Sequence, residues 1–328
     1  NGISNDNKVF TDKISSVTSL NIGSQSISDL TGIEAFTALE VLEADDNNLS
    51  AIDVSSNTSL TYLNIVGNSS ITTIDVSALS SLESLIVYGT SLTSINVSNN
   101  TALRTLQLNN TSISSLDLSS NTALESLSIR NISGLTNVDL SANTALTFLD
   151  VQNASIPTLD LSSNTALTQL YAKEGAFTSL NVKNGNNTNM TVFEIQTNSN
   201  LFCVIVDDIA YANTNFTNID AGLLFTNVSC DTTNVPDDNF EAFLEANGMG
   251  NGAANDGQVF TANISGVTSL DISNQSISNL TGIEDVTALQ SLIANNNNLT
   301  NVSLSSNTNL TTLNLDGNAS ITGIDVSA

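Results

Sequence analysis

LTFLDVQNASIPTLDLSSNTA, residues 146–166, holds two copies of one short phrase, leucine-x-x-leucine-x-aliphatic. The first copy is Leu146, Leu149 and Val151, the second is Ile156, Leu159 and Leu161, and the pair begins again at Leu167 and Leu170. A unit that recurs every 21 to 23 residues is too short to bury its own apolar side chains, so it must stack on its neighbours. The stretch therefore predicts a solenoid.

Working outward, first phrases begin at Leu39, Leu60, Leu82, Leu103, Leu124, Leu146, Leu167 and Met190, with an earlier one at Val17, which predicts about nine turns. Apolar and polar residues alternate within each phrase, the period of an extended strand with one face inward. Two such strands in one turn leave no room for an α-helix. The expected fold is a β-rich solenoid with a parallel sheet on one side, extended segments on the other and short helical caps. Its rise is roughly 4.8 Å per turn. About six inward aliphatics per turn, each contributing roughly 1.5 to 3 kcal/mol when fully buried, supply the core.

The corners carry their own pattern. Asn57, Asn100, Asn121, Asn143, Asn164 and Asn187 fall in register at the second corner, interrupted by Leu79. A buried amide carries donors and an acceptor, so stacked Asn side chains can pair the backbone groups that a corner leaves open. The first corner reads Asn47, Asn68, Thr90, Thr111, Ile132, Ala154, Gly175 and Asn198, a row half lost.

After Leu201 the short period ends. Asp207 or Asp208 is suited to cap a short helix through Tyr211, and the chain returns to Cys230, so 201–230 reads as a C-terminal cap. Cys203 and Cys230 belong to no CxxC motif. A disulfide between them would stabilise by roughly 3 to 4 kcal/mol on the chain-entropy account; two buried free thiols are the alternative. Residues 231–234 read as a linker. In VPDDNFEAFLEANG, residues 235–248, Pro236, Asp237 and Asp238 start a helix with Phe240, Phe243 and Leu244 on one face and Gly248 past its end.

Residues 251–328 repeat residues 1–78 at a fixed offset of 250, without a gap and with about 49 of the 78 positions identical. A longer period thus overlies the short one. The expected organisation is a module over 1–230 without its N-terminal cap, the linker 231–234, and a second module of the same type over 235–328. The two are expected to belong to a longer tandem array.

Composition narrows the function. Thirty-two Asp and Glu stand against six Lys and Arg, a formal charge of −26, which excludes nucleic acid as a partner held through its phosphates. Histidine and tryptophan are absent, so Ser-His-Asp triads, Cys-His pairs and histidine metal sites are excluded. No acid pair is singled out by spacing, so neither enzymatic activity nor a cofactor is expected. No run of 18 apolar residues spans a membrane, and Asn1 opens no signal sequence. The chain is expected to be mature, trimmed or a piece of something longer.

With these residues in hand, the chain resembles the secreted leucine-rich-repeat surface proteins of flavobacterial (Bacteroidota) type. The carriers are VPDDNFEAFLEANG, NISGVTSLDIS and ISNLTGIED at the module start, then SISSLDLSSNTALESL and SIPTLDLSSNTALTQL, and the end-cap segment NSNLFCVIVDD with its closing Cys230. The resemblance covers essentially the whole chain, though the repeats lack the cysteine that many members place in them. It implies export to the extracellular space or cell surface and a role in adhesion or polymer binding. Partners are then protein or polysaccharide at a surface, further copies of the module, and other chains of a fibre.

Two faces hold candidate sites. The outward positions of the first strands place Tyr62, Val66, Ile86 and Tyr88 in turns three and four, and Phe148 and Tyr171 in turns seven and eight. Exposed aromatics beside hydroxyls and amides stack on sugar rings or anchor a protein; strand propensity alone would also fill a solvated face this way. On the other side run Asp53, Asp75, Asn96, Asp117, Asp139, Asp160 and Asn181. Like charges about 5 Å apart repel, so Asp117, Asp139 and Asp160 either share Ca²⁺ or accept hydrogen bonds from the following corner. Asp231-Thr232-Thr233 resembles a flavobacterial O-glycosylation motif, which makes Thr232 a candidate for a glycan.

Overall fold

The computed structural model describes residues 8–327. Among them, nine three-residue strands form one all-parallel sheet: Ser19–Asn21, Val41–Glu43, Tyr62–Asn64, Ser84–Ile86, Thr105–Gln107, Ser126–Ser128, Phe148–Asp150, Gln169–Tyr171 and Val192–Glu194. The register never slips. Leu20 lies opposite Leu42, Leu42 opposite Leu63, and the column runs through Leu85, Leu106, Leu127, Leu149 and Leu170 to Phe193. This middle residue points inward and is buried from Leu42 onward, whereas most of its flanking neighbours stay partly exposed. Period-2 alternation thus separates a core face from an outward one. The second phrases close the core with Leu49, Ile71, Leu92, Ile113, Leu135, Ile156 and Phe177, all buried. Thr158–Asp160 and Ser179–Asn181 pair as parallel strands on that side. The architecture is the β-rich parallel solenoid of about 21-residue turns that the phrase predicts.

Amide side chains tie each turn to the one before it. Asn121 Nδ2 donates to the carbonyls of Val97 (3.0 Å) and Asn100 (2.9 Å). Asn143 does the same to Leu118 and Asn121, and Asn164 to Leu140 and Asn143. Asn57 reaches Ile33 and Phe36, and Asn100 reaches Val76 and Leu79. Asn187 departs from this pattern. The corner at residues 183–187 is longer, with Gly185 in the left-handed region (φ 78°), and it is Asn184 that donates to the Asn164 carbonyl at 2.9 Å. Asn187 turns instead to Val182 within its own turn and accepts from the amide of Asp207.

The chain divides into two compact units. One runs through Phe202 and includes Val206–Leu223; the other comprises Cys203–Ile205 and everything from Leu224. In the first, Asp208 caps the helix Ile209–Asn215, accepting from Tyr211 N. Behind that helix Phe216 stacks on Phe193 with ring centroids 4.0 Å apart, and Asp220 accepts the backbone amides of Thr197 and Asn198. In the second, Cys203–Ile205 pairs with Leu224–Thr226, and Cys203 and Cys230 form a disulfide with a Cα–Cα distance of 6.0 Å.

Residues 231–234 are not a linker. Thr232–Asn234 pairs antiparallel with Gln258–Phe260, and Thr233 is buried, its hydroxyl bonded to Thr261 Oγ1 and to Asp285 Oδ2. The helix Asp238–Ala246 follows with Asp237 as its N-cap, and Val235, Phe240 and Leu244 enter the core of this unit. Asp237 also accepts from Ser278 N and Oγ and from Asn279 N, fixing the cap to the first turn beneath it.

The 250-residue offset holds in three dimensions. Ser19–Asn21, Val41–Glu43 and Tyr62–Asn64 recur as Ser269–Asp271, Ser291–Ile293 and Thr312–Asn314. The turns Ile33–Ala35 and Ile283–Asp285 each follow a glycine at φ near 104°, a conformation closed to other residues. Burial differs where the cap strand and helix cover unit two: Val259 and Phe260 are 0% and 2% exposed, whereas Val9 and Phe10 are 64% and 55% exposed.

Asn121→Ala should therefore lower stability by about 1 to 3 kcal/mol in chemical denaturation, because it removes two buried hydrogen bonds between turns and leaves the Val97 and Asn100 carbonyls with only the backbone amides of their own corner. Asn121→Leu, the residue that the chain itself uses at Leu79, should cost less. Phe260→Ala should destabilise unit two by about 3 to 5 kcal/mol, while Phe10→Ala changes stability by under about 0.5 kcal/mol. Amide hydrogen exchange in each unit reads the difference.

Candidate functional site

The nine-stranded sheet presents its outward residues in columns. Tyr62 and Asn64 face Ser84 and Ile86 in register, and beyond the strand Gly67 N donates to the Tyr88 carbonyl. Tyr62 is half-buried and Tyr88 is 37% exposed. Burial, then the nearby Glu43 and Asp45 carboxylates and Tyr88, push the Tyr62 phenol above its ordinary pKa. Four turns on, Phe148 and Tyr171 contact each other with ring centroids 5.5 Å apart and planes tilted by 43°. The four aromatic residues therefore make two patches on the sheet.

Between them lies a polar network that sequence reasoning missed. Asn109 Oδ1 accepts from Ser128 Oγ and from Arg130 N, both at 2.8 Å. The next carboxylate, Asp150, is buried and accepts from Gln152 N and Nε2. Its only sequence signal was three polar residues at successive outward positions. Arg104 pairs with Glu125, and Lys173 with Glu194 at 3.5 Å, so these two cations of the later turns are each matched by a carboxylate.

A second missed feature is a column of left-handed corner residues immediately before the first-corner row. Asp46, Asn110, Asn131 and Asn153 have φ between 51° and 58°, with Gly67 and Gly89 at the same place in intervening turns. Asn tolerates this region better than other side chains. Here the side chains also link turn to turn, Asn131 to Asn110 Oδ1 at 2.8 Å and Asn153 to Asn131 Oδ1 at 3.0 Å. The Gly and Asn content was visible in the sequence; the required φ was not.

On the opposite side each acid of the row serves its own corner. Asp53, Asp75, Asp117, Asp139 and Asp160 accept the backbone amide two residues on, from Ser55, Ser77, Ser119, Ser141 and Ser162, at 2.9 to 3.0 Å. Asn96 and Asn181 do likewise. Hydrogen bonds from the serine hydroxyl and then its amide hold the carboxyls of Asp53, Asp75, Asp117 and Asp139 below the usual aspartate range. Among the described residues no three acidic or cysteine side chains converge on one point. Thr232 is exposed on the strand Thr232–Asn234. In the cap, buried Glu241 accepts the amides of Asp256 and Gly257, a role with no forerunner in the sequence reading.

The functional domain of InlJ from Listeria monocytogenes is similar over 96% of this chain, with 24% identity and a TM-score of 0.56. The fold is that of leucine-rich-repeat proteins. A leucine-rich-repeat protein of Leptospira interrogans is similar over 96% of this chain and 85% of its own, with 13% identity and a TM-score of 0.51. This chain spans 57% of the length of the InlJ domain, which includes a cysteine ladder; its own rows are built of asparagine. No protein-family model and no curated protein matches the sequence.

The acid row makes a titration prediction. The carboxyls of Asp53, Asp75, Asp117 and Asp139 lie below the ordinary value of 3.8, so in their ionised form these four stabilise the fold at neutral pH. That contribution is lost as pH falls below about 4. Ser119→Ala should move the Asp117 carboxyl back upward in an NMR titration and leave Asp75 in place.

Proposed function

We propose that the chain is a non-enzymatic, protein-interacting repeat module that acts without a cofactor, part of a long adhesive protein at the cell surface or outside the cell. The observation that carries this reading is the ungapped 250-residue offset, because it repeats whole elements: strands, glycine turns, amide rungs and the first-corner Asn47 and Asn68 as Asn297 and Asn318. Nested repetition builds length and surface, the needs of attachment. The disulfide supports an oxidising compartment. No helix among the described residues is long and apolar enough to cross a membrane.

A second reading, carbohydrate binding on the sheet face, is favoured by the Phe148–Tyr171 pair, whose tilted rings flank Gln169 and Asp150. Sequencing the full reading frame should reveal further copies at the 250-residue spacing; a frame holding only this partial duplication would overturn the array. A glycan array signal lost in Tyr171→Ala would favour the second reading.

A further inference from the structure

The internal copy offers a comparison in which the frame is held constant. At residues 39–49 and 289–299 the buried positions are identical: Leu39, Leu42, Ala44, Asn47 and Leu49 match Leu289, Leu292, Ala294, Asn297 and Leu299. Even the amide bonds repeat, with Asn47 Oδ1 accepting from Gln25 N and Ile27 N, and Asn297 Oδ1 from Gln275 N and Ile277 N. The outward positions do not repeat. Glu40, Glu43 and Asp45 become Gln290, Ile293 and Asn295, and Tyr62 of the next turn becomes Thr312; Asn21 and Val66 become Asp271 and Asp316, so the copy carries fewer acids on this face, at other positions and without the tyrosine.

The fold is thus built equally well without these acids and without this tyrosine, so packing does not account for them. Clustered like charges also repel, which disfavours keeping them for stability alone. No compensating cation is near in the sequence, since residues 14–103 contain no Lys or Arg. Among the described residues the side-chain partners of Glu43 and Asp45 are neutral: Asn21 Nδ2 donates to Glu43 and Asn64 Nδ2 to Asp45. Tyr62 and the exposed Tyr88 lie on the same face, and their ring faces attract cations. Later turns, where Arg104 and Lys173 already pair with carboxylates, lack this one-sided charge.

We propose that the sheet face of Glu40, Glu43, Asp45, Tyr62 and Tyr88 docks an arginine-bearing extended segment of a partner protein, and that the corresponding face of the copy does not. Guanidinium groups suit it because they pair with carboxylates through a planar fork and stack on aromatic rings. The proposal rests on the interaction role given above and names the chemistry of the partner.

The test titrates the full chain with a fluorescent peptide of alternating Arg and Ser at physiological salt, followed by anisotropy. The triple variant E40Q/E43I/D45N installs the residues of the copy, which the frame accommodates. It should lose about tenfold or more in affinity. D75N/D117N/D139N removes the same formal charge on the opposite side and should change affinity by less than about twofold. Tyr62→Thr should weaken binding several-fold, and Q290E/I293E/N295D/T312Y, which rebuilds every part of the face except the Tyr88 ring, should add a second, weaker peptide site. Equal weakening by both triple variants, or no saturable binding, overturns the proposal. A neutral-glycan signal lost in Tyr62→Thr without peptide binding also overturns it, while leaving the face as an interaction surface.

Discussion

A turn of 21 residues must reverse direction twice, and at the second reversal the corner carbonyls accept one backbone amide from within their own turn and keep a second lone pair free for the next turn. The buried asparagine amide bonds there. Each rung satisfies carbonyls of the preceding turn from a side chain too short to reach anything else, so it fixes the stacking distance and the register together. The Leu42-to-Phe193 column then falls into line, and the outward columns are spaced by the same rule. At Leu79 the chain does without a rung, and apolar burial alone holds that corner.

This division of labour explains what the sequence disclosed. Leucine phrases and corner asparagines answer to a period, so the solenoid, the sheet register and five of the six second-corner rungs are legible in the sequence. Asn187 was misplaced because a longer corner shifts the amide that faces the previous turn, and counting cannot tell Asn184 from Asn187. Residues 231–234 were misread because a three-residue strand has no period at all; its partner, Gln258–Phe260, lies beyond a helix and a loop. Outward residues such as Asn109, Ser128 and Asp150 obey no repeat, so their network needed three dimensions.

Frame and face are consequently independent. The same buried residues underlie a surface with Glu40, Glu43, Asp45 and Tyr62 in one copy and one with Gln290, Ile293, Asn295 and Thr312 in the other, where the acids are instead Asp271 and Asp316. Substitution on the outward columns alters what the protein presents without disturbing how it folds. The acid row of the other side behaves differently: Asp117 and its neighbours belong to the frame, because each carboxylate completes a corner.

The direction of the amide rungs has one more consequence. Every rung from Asn57 to Asn164 donates backward, toward carbonyls that come earlier in the chain. During synthesis on the ribosome the acceptors of a given turn therefore emerge before the donor that closes on them. The buried amide of each new turn thus meets acceptors already in place, whereas strand amides such as Ala44 N and Ile65 N are paired only when the carbonyls of the following turn arrive. A protein made of many stacked turns can in this way be completed one turn at a time as it leaves the exit tunnel, without a long unfolded chain accumulating behind it.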